Sequence, residues 1–336
     1  KVTKILQDLE KWSIIVYRKH QGAWGLFAGS DIDLEKLIHS SIAQIGPSDS
    51  IILQSIPDQN PVVAKEHYHK TGTLRWLELR TVFSNNLLHF LEHEPRKTPT
   101  GQLILVLKEQ GNTREDILSF IEKANKLTID LMNPIVFGCP NNNDELLSLA
   151  SELAALEKIQ STNSMLAGDA VARKELTARV LNITQELNEA IKITLANTEW
   201  FYKNRHFTKV HSLSQLASST FNDFYPDTPI IKNELINREK ISGASVHAAK
   251  NLLKQMIQFS EKESFGIEGY PPEKSIYLSL LKNTKIHRHG NAGYELAKPT
   301  NKDHSLHKIW LDTLDFLEKN RDRKVTLNEL FSRWSQ

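Results

Sequence analysis

Two short apolar segments with a helical pattern between them constrain the fold most. Residues 102–107 and 134–138 are rich in apolar side chains, and each segment has the length of a buried strand. Residues 113–127 between them place apolar side chains at helical spacing. A strand, a helix and a second strand at this spacing form a βαβ unit with parallel strands. We therefore predict a small α/β domain over residues 30–140.

The first 29 residues follow the order of elements that closes a winged helix. Residues 3–12 are predicted to be a helix, and residues 14–17 and 23–27 are predicted to be strands because they are β-branched and aromatic. Residues 1–29 are therefore interpreted as a winged-helix remnant. Such a unit either places its helix in the DNA major groove or serves as a spacer between domains.

The second half of the chain is predicted to be mainly helical. Residues 141–205 carry apolar side chains at steps of three and four and are expected to be helical throughout, as a hairpin or an arm. Residues 206–336 are predicted to be a helical domain with a winged-helix-like hairpin at 284–296 and a capping box formed by Thr326 and Glu329. The predicted fold class is therefore multidomain, mixed α/β and α-helical, and 336 residues suffice for two or three domains.

Composition excludes several classes of protein. Forty-two basic and forty acidic side chains leave a net charge of +2, which gives no global reason for binding nucleic acid or an anionic membrane. Cys139 is the single cysteine, so an intrachain disulfide and a zinc site built on several cysteines are impossible. The sequence has no apolar run near the roughly 20 residues that span a bilayer. We expect a cytoplasmic protein without a membrane partner.

Motifs that carry known chemistries are absent from the sequence. It has no G-x-x-x-x-G-K-[ST] phosphate loop, no G-x-S-x-G and no H-E-x-x-H. We therefore name no catalytic residue and no cofactor or metal for this chain. The pair Asp31 and Asp33, with a distant carboxylate, keeps a nuclease-type enzyme open as an alternative. In the other interpretation, Ser30 or Asp31 is the N-cap of a helix that runs to about residue 45.

The densest polar stretch covers residues 65–75. It holds Lys65, Lys70 and Arg75 with histidine and tyrosine side chains between them, a combination that can bind a nucleotide or a phosphate backbone. Arg18 and Lys19, in the turn of the first hairpin, would extend the same surface. The alternative interpretation of residues 65–75 is a solvated loop with strands on either side. On a strand, His67 and His69 would share one face and could hold a metal, but no acidic or thiol partner is near in sequence.

Two stretches in the second half are predicted to be structural. Glu234, Asn237 and Arg238 are candidates to fix a domain junction or to reach a ligand. Tyr270 precedes a proline pair that favours a helix start, so it is expected to pack against that helix as a hydrophobic staple.

Several short segments resemble one family. They are Val16-Tyr-Arg18, Gly29-Ser-Asp-Ile-Asp-Leu34, Val63-Ala-Lys-Glu-His-Tyr68, Thr71-Gly-Thr-Leu-Arg75, Gly168-Asp-Ala-Val-Ala-Arg-Lys-Glu175, Asn233-Glu-Leu-Ile-Asn-Arg238 and Gly266-Ile-Glu-Gly-Tyr-Pro-Pro-Glu273. Together they resemble the region downstream of the ATPase module in large bacterial P-loop proteins associated with antiphage defence.

The resemblance implies a non-catalytic regulatory or interaction region. ATP would bind in a domain that precedes Lys1, and the partners would be other proteins or other domains of the same chain. Both ends of the sequence fall within amphipathic segments, so we expect an internal piece of a larger protein. A nucleic-acid-binding module is the alternative function.

Overall fold

The structure is a computed structural model, and it describes residues 2–12, 14–18, 22–26, 32–93, 101–129, 131, 133–163, 166, 168–208, 210, 212–238, 240–299 and 305–334. The chain has a mixed α/β fold. Among the helices in these ranges, none is long and apolar enough to cross a membrane.

The elements follow one another in this chain order: α1 (Val2–Lys11), β1 (Ile15–Arg18), β2 (Ala23–Leu26), α2 (Leu34–Gln44), α3 (Ser50–Gln54), β3 (Val62–Val63), α4 (Lys65–Thr71), β4 (Trp76–Phe83), α5 (Leu87–His93), β5 (Gly101–Leu107), α6 (Arg114–Leu127), β6 (Ile135–Pro140), α7 (Asp144–Thr162), α8 (Ala170–Ala196), β7 (Thr198–Tyr202), β8 (Arg205–Phe207), α9 (Leu213–Phe224), α10 (Gly243–Gln258), α11 (Pro272–Ile276), β9 (His287–Gly290), β10 (Gly293–Leu296), α12 (Ser305–Lys319) and α13 (Leu327–Trp334). Short 3-10 turns cover Ser84–Asn86 and Glu263–Gly266, and a π-helical segment, Tyr277–Lys282, continues α11.

A central sheet contains six of the described strands, in the order β3-β4-β5-β6-β7-β8. Strands β4, β5 and β6 are parallel, while β3, β7 and β8 are antiparallel to their neighbours. Helix α5 connects β4 to β5, and α6 connects β5 to β6. The predicted βαβ unit is therefore confirmed, and Thr113 caps α6 in a capping box with Asp116.

Helices cover both faces of this sheet. Leu103, Leu105 and Leu107 point to one face and pack with residues of α2, α3, α7, α8 and α9. Ile104 and Val106 point to the other face and pack with residues of α5 and α6. Successive side chains of a strand alternate between faces, so β5 is apolar throughout because both faces are buried.

The prediction that residues 141–205 are helical throughout is wrong at its end. α7 and α8 form the expected hairpin, but β7 follows at Thr198 and β8 follows at Arg205. The side chains of β7 alternate between buried and half-buried, the period of a strand. Trp200 packs over Gly138 of β6, where any Cβ atom would overlap the indole ring. The α7–α8 hairpin and the sheet share one hydrophobic cluster, which crosses the predicted boundaries at 140 and 205.

Residues 65–71 form helix α4, so the prediction of a strand or a loop between strands is wrong there. Gly72 ends this helix in the left-handed region, with φ at +82°, a conformation that glycine adopts without a steric cost. Helix α2 also begins later than predicted. Its N-cap is Asp33, whose Oδ1 accepts a hydrogen bond from the Lys36 N–H, while Ser30 and Asp31 lie outside the described residues.

A third cluster lies in the second half of the chain, around α10, α11 and the residues between them. The predicted hairpin is present as β9 and β10, and Thr326 and Glu329 form the predicted capping box at α13. The staple prediction for Tyr270 is wrong, because 93% of this residue is exposed. Phe265 and Tyr277 fill the core there instead. A helix followed by a hairpin is also present in the first 29 residues, and winged-helix folds stay a prediction at both places.

Candidate functional site

A large cavity lies at the edge of the sheet where β4 and β6 begin. Its volume is about 950 Å³. Arg75 and Asn133 come from the sheet side, directly before these strands. The loop after α9 forms a second wall, and α12 and α13 form the third. The full lining is Arg75, Asn133, Phe224, Tyr225, Pro226, Asp227, Thr228, Pro229, Lys308, Ile309, Asp312, Arg333 and Trp334. We call this cavity the Arg75 cleft.

Arg75 holds its guanidinium against an aromatic ring at one wall of the Arg75 cleft. Its Cζ lies 3.8 Å from the ring centroid of Tyr225, in cation–π contact. The Arg75 carbonyl accepts a hydrogen bond from the Ala64 N–H at 3.0 Å, which fixes the backbone. Burial lowers the pKa of the guanidinium, although electrostatic interaction and a side-chain hydrogen bond with Tyr225 oppose that shift. An arginine is nevertheless always protonated in a protein, so a half-buried positive charge faces the cleft.

That charge has no carboxylate partner among the residues the structure describes. The Arg75 Nε atom is buried and has no hydrogen-bond partner within the same residues. A buried donor without a partner costs about 1–3 kcal/mol, and more when the group is charged. Arg75 therefore lines the cleft as a charged group without a carboxylate partner among the described residues.

The Tyr225 ring is held in place by its own turn. Tyr225 precedes Pro226, and a proline moves the residue before it out of the helical region, so α9 ends here. The Thr228 N–H and Oγ1 both bond to the Tyr225 carbonyl, which closes the turn. Phe224 meets the Tyr225 ring edge to face at 4.7 Å. The aromatic wall under Arg75 is thus built by contacts that do not need a ligand.

The opposite wall carries paired charges and an indole ring. The Arg333 Nε lies 2.8 Å from Asp312 Oδ2 and 2.9 Å from Oδ1, and Lys308 forms an ion pair with Asp227. Hydrogen bonds from Arg333 hold the pKa of the Asp312 carboxyl below its ordinary value, so this group is ionised at neutral pH. Trp334 lies beside them and is 41% exposed.

The ion pairs leave one charge of the lining uncompensated. The lining has three cations, Arg75, Lys308 and Arg333, and two carboxylates, Asp227 and Asp312. Each carboxylate is paired with Lys308 or Arg333, and Arg333 also approaches Asp315 outside the lining at 3.5 Å. The net positive charge of the Arg75 cleft therefore resides on Arg75.

His67 lies behind Arg75 and is fully buried. Its Nδ1 lies 2.8 Å from Asn222 Oδ1, and its ring tilts against Phe221. Burial lowers the pKa of the His67 ring, the Asn222 hydrogen bond opposes this, and the charges of Arg75 and Lys70 lower the pKa further. A neutral imidazole is the favoured form next to the unpaired guanidinium.

Two other predicted binding residues, Lys65 and Lys70, do not line the Arg75 cleft. Lys65 begins α4 and Lys70 lies in its last turn, and both side chains are exposed. Arg18 pairs through its backbone with Ala23 in the first hairpin, and its side chain is not described. Lys19 lies outside the described residues. The structure therefore places Lys65 and Lys70 on one helix and turns Arg75 into the cleft.

The predicted junction residues separate into one half-buried contact and one surface pair. The Asn237 Nδ2 donates hydrogen bonds to the carbonyls of Gly72 and Ile231. Glu234 and Arg238 form an exposed pair at 3.4 Å, one helical turn apart, a type of pair that contributes little to stability. Asn233, which was not among the predicted junction residues, is buried, and its Nδ2 lies 2.8 Å from Ser279 Oγ.

The carboxyl edge of the parallel strands is the usual ligand site of α/β sheets, and here it is closed by its own side chains. Asn143 bonds to both the N–H and the carbonyl of Lys108, bridging the ends of β5 and β6. The buried Glu109 accepts the Asn85 N–H, and Asn112 donates to Ser84 Oγ. These polar groups have partners, whereas the Nε atom of Arg75 has none among the described residues.

Other candidates for chemistry are also engaged in structure. Cys139 is buried and burial raises the pKa of its thiol, as expected for a structural cysteine. Asp33 caps α2, and His287 lies 2.9 Å from the Tyr277 hydroxyl in the third cluster. Within the described ranges, histidine, cysteine and acidic side chains form no group of three or more that could hold a metal.

Sequence reasoning found Arg75 and missed the rest of the Arg75 cleft. Tyr225 precedes Pro226, Asp227 and Pro229, and an aromatic residue before such a rigid turn was a signal for a fixed ring next to a loop. Lys308, Arg333 and Trp334 give no comparable signal, because they meet Arg75 only through tertiary packing. No family model, curated protein or solved structure matches this chain.

Proposed function

We propose that this chain is a non-catalytic regulatory or interaction region of a larger bacterial P-loop ATPase of the kind associated with antiphage defence. The protein would be cytoplasmic, and ATP would bind in a preceding domain. Its partners would be other proteins or other domains of the same chain. The sequence resemblance supports the link to the ATPase, and one structural feature supports a role in transmission.

That feature is a segment that contacts three parts of the molecule. We call residues 225–237 the junction segment. Its Ile231 N–H donates to the Thr71 carbonyl at 2.8 Å, where α4 ends. Its Asn233 bonds to Ser279 in the π-helical segment, and its Asp227 pairs with Lys308 of α12. A displacement of α11 or α12 would therefore move the junction segment. Through the hydrogen bond between Ile231 and Thr71, that movement would reach the end of α4.

The coding sequence offers the first test. We expect the reading frame upstream of Lys1 to encode a G-x-x-x-x-G-K-[ST] loop, which is the element that holds nucleotide phosphates. We also expect the isolated chain to leave ATP unhydrolysed. A reading frame without that loop, or hydrolysis by the isolated chain that one substitution abolishes, would refute the proposal.

Transmission is tested in the full-length protein with a matched pair of variants. Asn237→Ala removes the side chain that ties the junction segment to Gly72, while Glu234→Ala removes an exposed partner in the same segment. Asn237→Ala should change the steady-state ATPase rate at least severalfold, and Glu234→Ala should leave it unchanged. Equal rates in folded wild type and both variants would contradict a transmitting role.

Nucleic-acid binding is a second candidate function, and one observation favours it. Lys65 and Lys70 lie on the same short helix with both ammonium groups exposed, so they can contact phosphates. The nuclease alternative has no comparable support, because Asp33 is engaged as a helix cap and Asp31 lies outside the described residues.

A further inference from the structure

We propose that the Arg75 cleft binds a nucleoside monophosphate, with the phosphate on Arg75 and the base against Trp334. The inference gives the proposed regulatory region a ligand. Only the regulatory role of that ligand rests on the proposed function. The binding itself is carried by the charges, the aromatic walls and the volume of the cleft.

The phosphate half follows from the unpaired guanidinium. Arg75 lines the cleft with a half-buried positive charge that has no carboxylate partner among the described residues, and it is held in place by the Tyr225 ring and by its backbone bond to Ala64. A guanidinium fits phosphate oxygens with two parallel hydrogen bonds, and such charge-assisted bonds are about twice as strong as neutral ones. The cost of ordering the arginine has already been met by its packing, so an anion gains most of the contact energy.

The number of phosphates follows from the charge balance. Lys308 and Arg333 are already paired with Asp227 and Asp312, so of the three cations in the described lining Arg75 is the one without a carboxylate partner. A triphosphate would bring several negative charges next to two ionised carboxylates. A monophosphate matches the single charge of Arg75 much better. We therefore expect AMP to bind more tightly than ATP, which also separates this site from a P-loop.

The base half follows from the remaining walls. Trp334 is 41% exposed in the cleft, and Ile309 and Pro229 add apolar surface. Stacking of a base on an aromatic side chain is worth a severalfold gain in affinity or more. A volume of about 950 Å³ is at the upper end of small-molecule sites and admits a whole mononucleotide.

The test is isothermal titration of the 336-residue chain at ~50 mM salt, where electrostatic contacts are weakly screened. The probes are AMP, GMP, CMP and UMP, with adenosine, inorganic phosphate, ATP and a short single-stranded RNA as comparisons. We expect at least one monophosphate to bind at least tenfold more tightly than its comparison compounds. The absence of binding by all four up to ~1 mM would overturn the proposal. Inorganic phosphate that binds as tightly as the monophosphate would also overturn it, because the base would then contribute nothing. RNA that binds as tightly would do the same, because the cleft would then not require a free nucleotide.

Variants test the two halves separately. Arg75→Gln should weaken binding at least tenfold, while Lys65→Gln, the same charge change on exposed α4, should alter it by less than twofold. Trp334→Ala should weaken binding severalfold, and Trp12→Ala, at another exposed tryptophan, should not. Affinities that are equal in Arg75→Gln and wild type, with melting curves that show both folded, would overturn the assignment.

One further variant moves affinity in the opposite direction. Asp227→Asn removes a carboxylate and frees Lys308, so binding should tighten severalfold. If the ion pair is only structural, Asp227→Asn should bind the monophosphate more weakly than wild type or equally well. Either result would overturn the charge argument. Nucleotide binding without an upstream phosphate loop would leave this site standing and refute the proposed ATPase region, so the two ideas fail separately.

Discussion

Gly72 ends α4 with φ at +82°, and the backbone of the junction segment passes directly over it. A Cβ atom at this position would overlap the Ile231 carbonyl oxygen, and the Asn237 amide lies close on the same side. Glycine is therefore needed twice at residue 72, once for the backbone angle and once for space. Gly111 has a similar φ of +93° but nothing within 4 Å of the added Cβ. A substitution at Gly111 therefore measures the cost of the backbone conformation without any steric overlap.

We predict that Gly72→Ala destabilises the protein more than Gly111→Ala does. The left-handed conformation costs about 1–2 kcal/mol for a residue with a Cβ atom, and both variants carry that cost. Gly72→Ala should add roughly 1–3 kcal/mol for the overlap. Urea unfolding of the two variants, followed by circular dichroism, measures the difference. Equal losses of unfolding free energy would show that the junction segment moves away from α4 without cost.

At the scale of elements, α11 begins at a proline pair and continues into a π-helical segment over a buried core. Tyr277 is 1% exposed, packs edge to face on Phe265 at 5.2 Å, and its hydroxyl lies 2.9 Å from His287 Nδ1. Tyr270, just before the helix, makes no comparable contact and is 93% exposed. The helix is therefore held by its own buried tyrosine and not by a staple at its start.

We predict opposite outcomes for these two tyrosines in thermal unfolding. Tyr277→Phe removes one buried hydroxyl and leaves the Nδ1 atom of His287 without its partner, which should cost about 1–3 kcal/mol and lower the Tm by several degrees. Tyr270→Ala should change the unfolding free energy by less than about 0.5 kcal/mol, as surface substitutions usually do. A large loss of stability in Tyr270→Ala would restore the staple interpretation.

The whole molecule decides which surfaces remain for nucleic acid. The sequence placed Lys65, Lys70 and Arg75 on one basic stretch, from which up to three phosphate contacts would follow. The fold keeps Lys65 and Lys70 exposed on α4 and uses Arg75 in the Arg75 cleft. At most two of these three side chains are then free to contact a phosphate backbone.

We predict that duplex DNA, if bound through α4, loses affinity with salt at a slope near −0.9 per neutralised phosphate. Replacing Lys65 and Lys70 together by glutamine should flatten the log–log slope by about two units. Lys123 and Lys126 on α6 provide the matched control, because the same charge change there lies on the helix layer of the other sheet face. Fluorescence anisotropy titrations from ~50 to ~200 mM salt make the measurement. An unchanged slope, or no binding at ~50 mM salt, would contradict this use of α4.

Local physical chemistry determined several elements from the sequence alone. The apolar run of β5 and the periodicity of α6 depend on neighbours within a few residues, so the βαβ unit followed directly. The capping box at Thr326 joins two residues three positions apart and was equally visible. Such predictions succeed because the interactions that decide them lie within one element.

Only the tertiary structure decided what lies far apart in the chain. Thr198 to Tyr202 became a strand because Gly138 leaves space for Trp200 and because β6 offers hydrogen bonds to β7. Arg75 was recognisable from the sequence as a candidate binding residue. The tertiary structure changed its assignment from a surface contact to a cation of the cleft, because Tyr225 lies against it and the carboxylates of the Arg75 cleft are paired with other cations. The sequence shows which side chains are charged. Whether an opposite charge neutralises each of them depends on which distant groups the fold brings within a few ångströms.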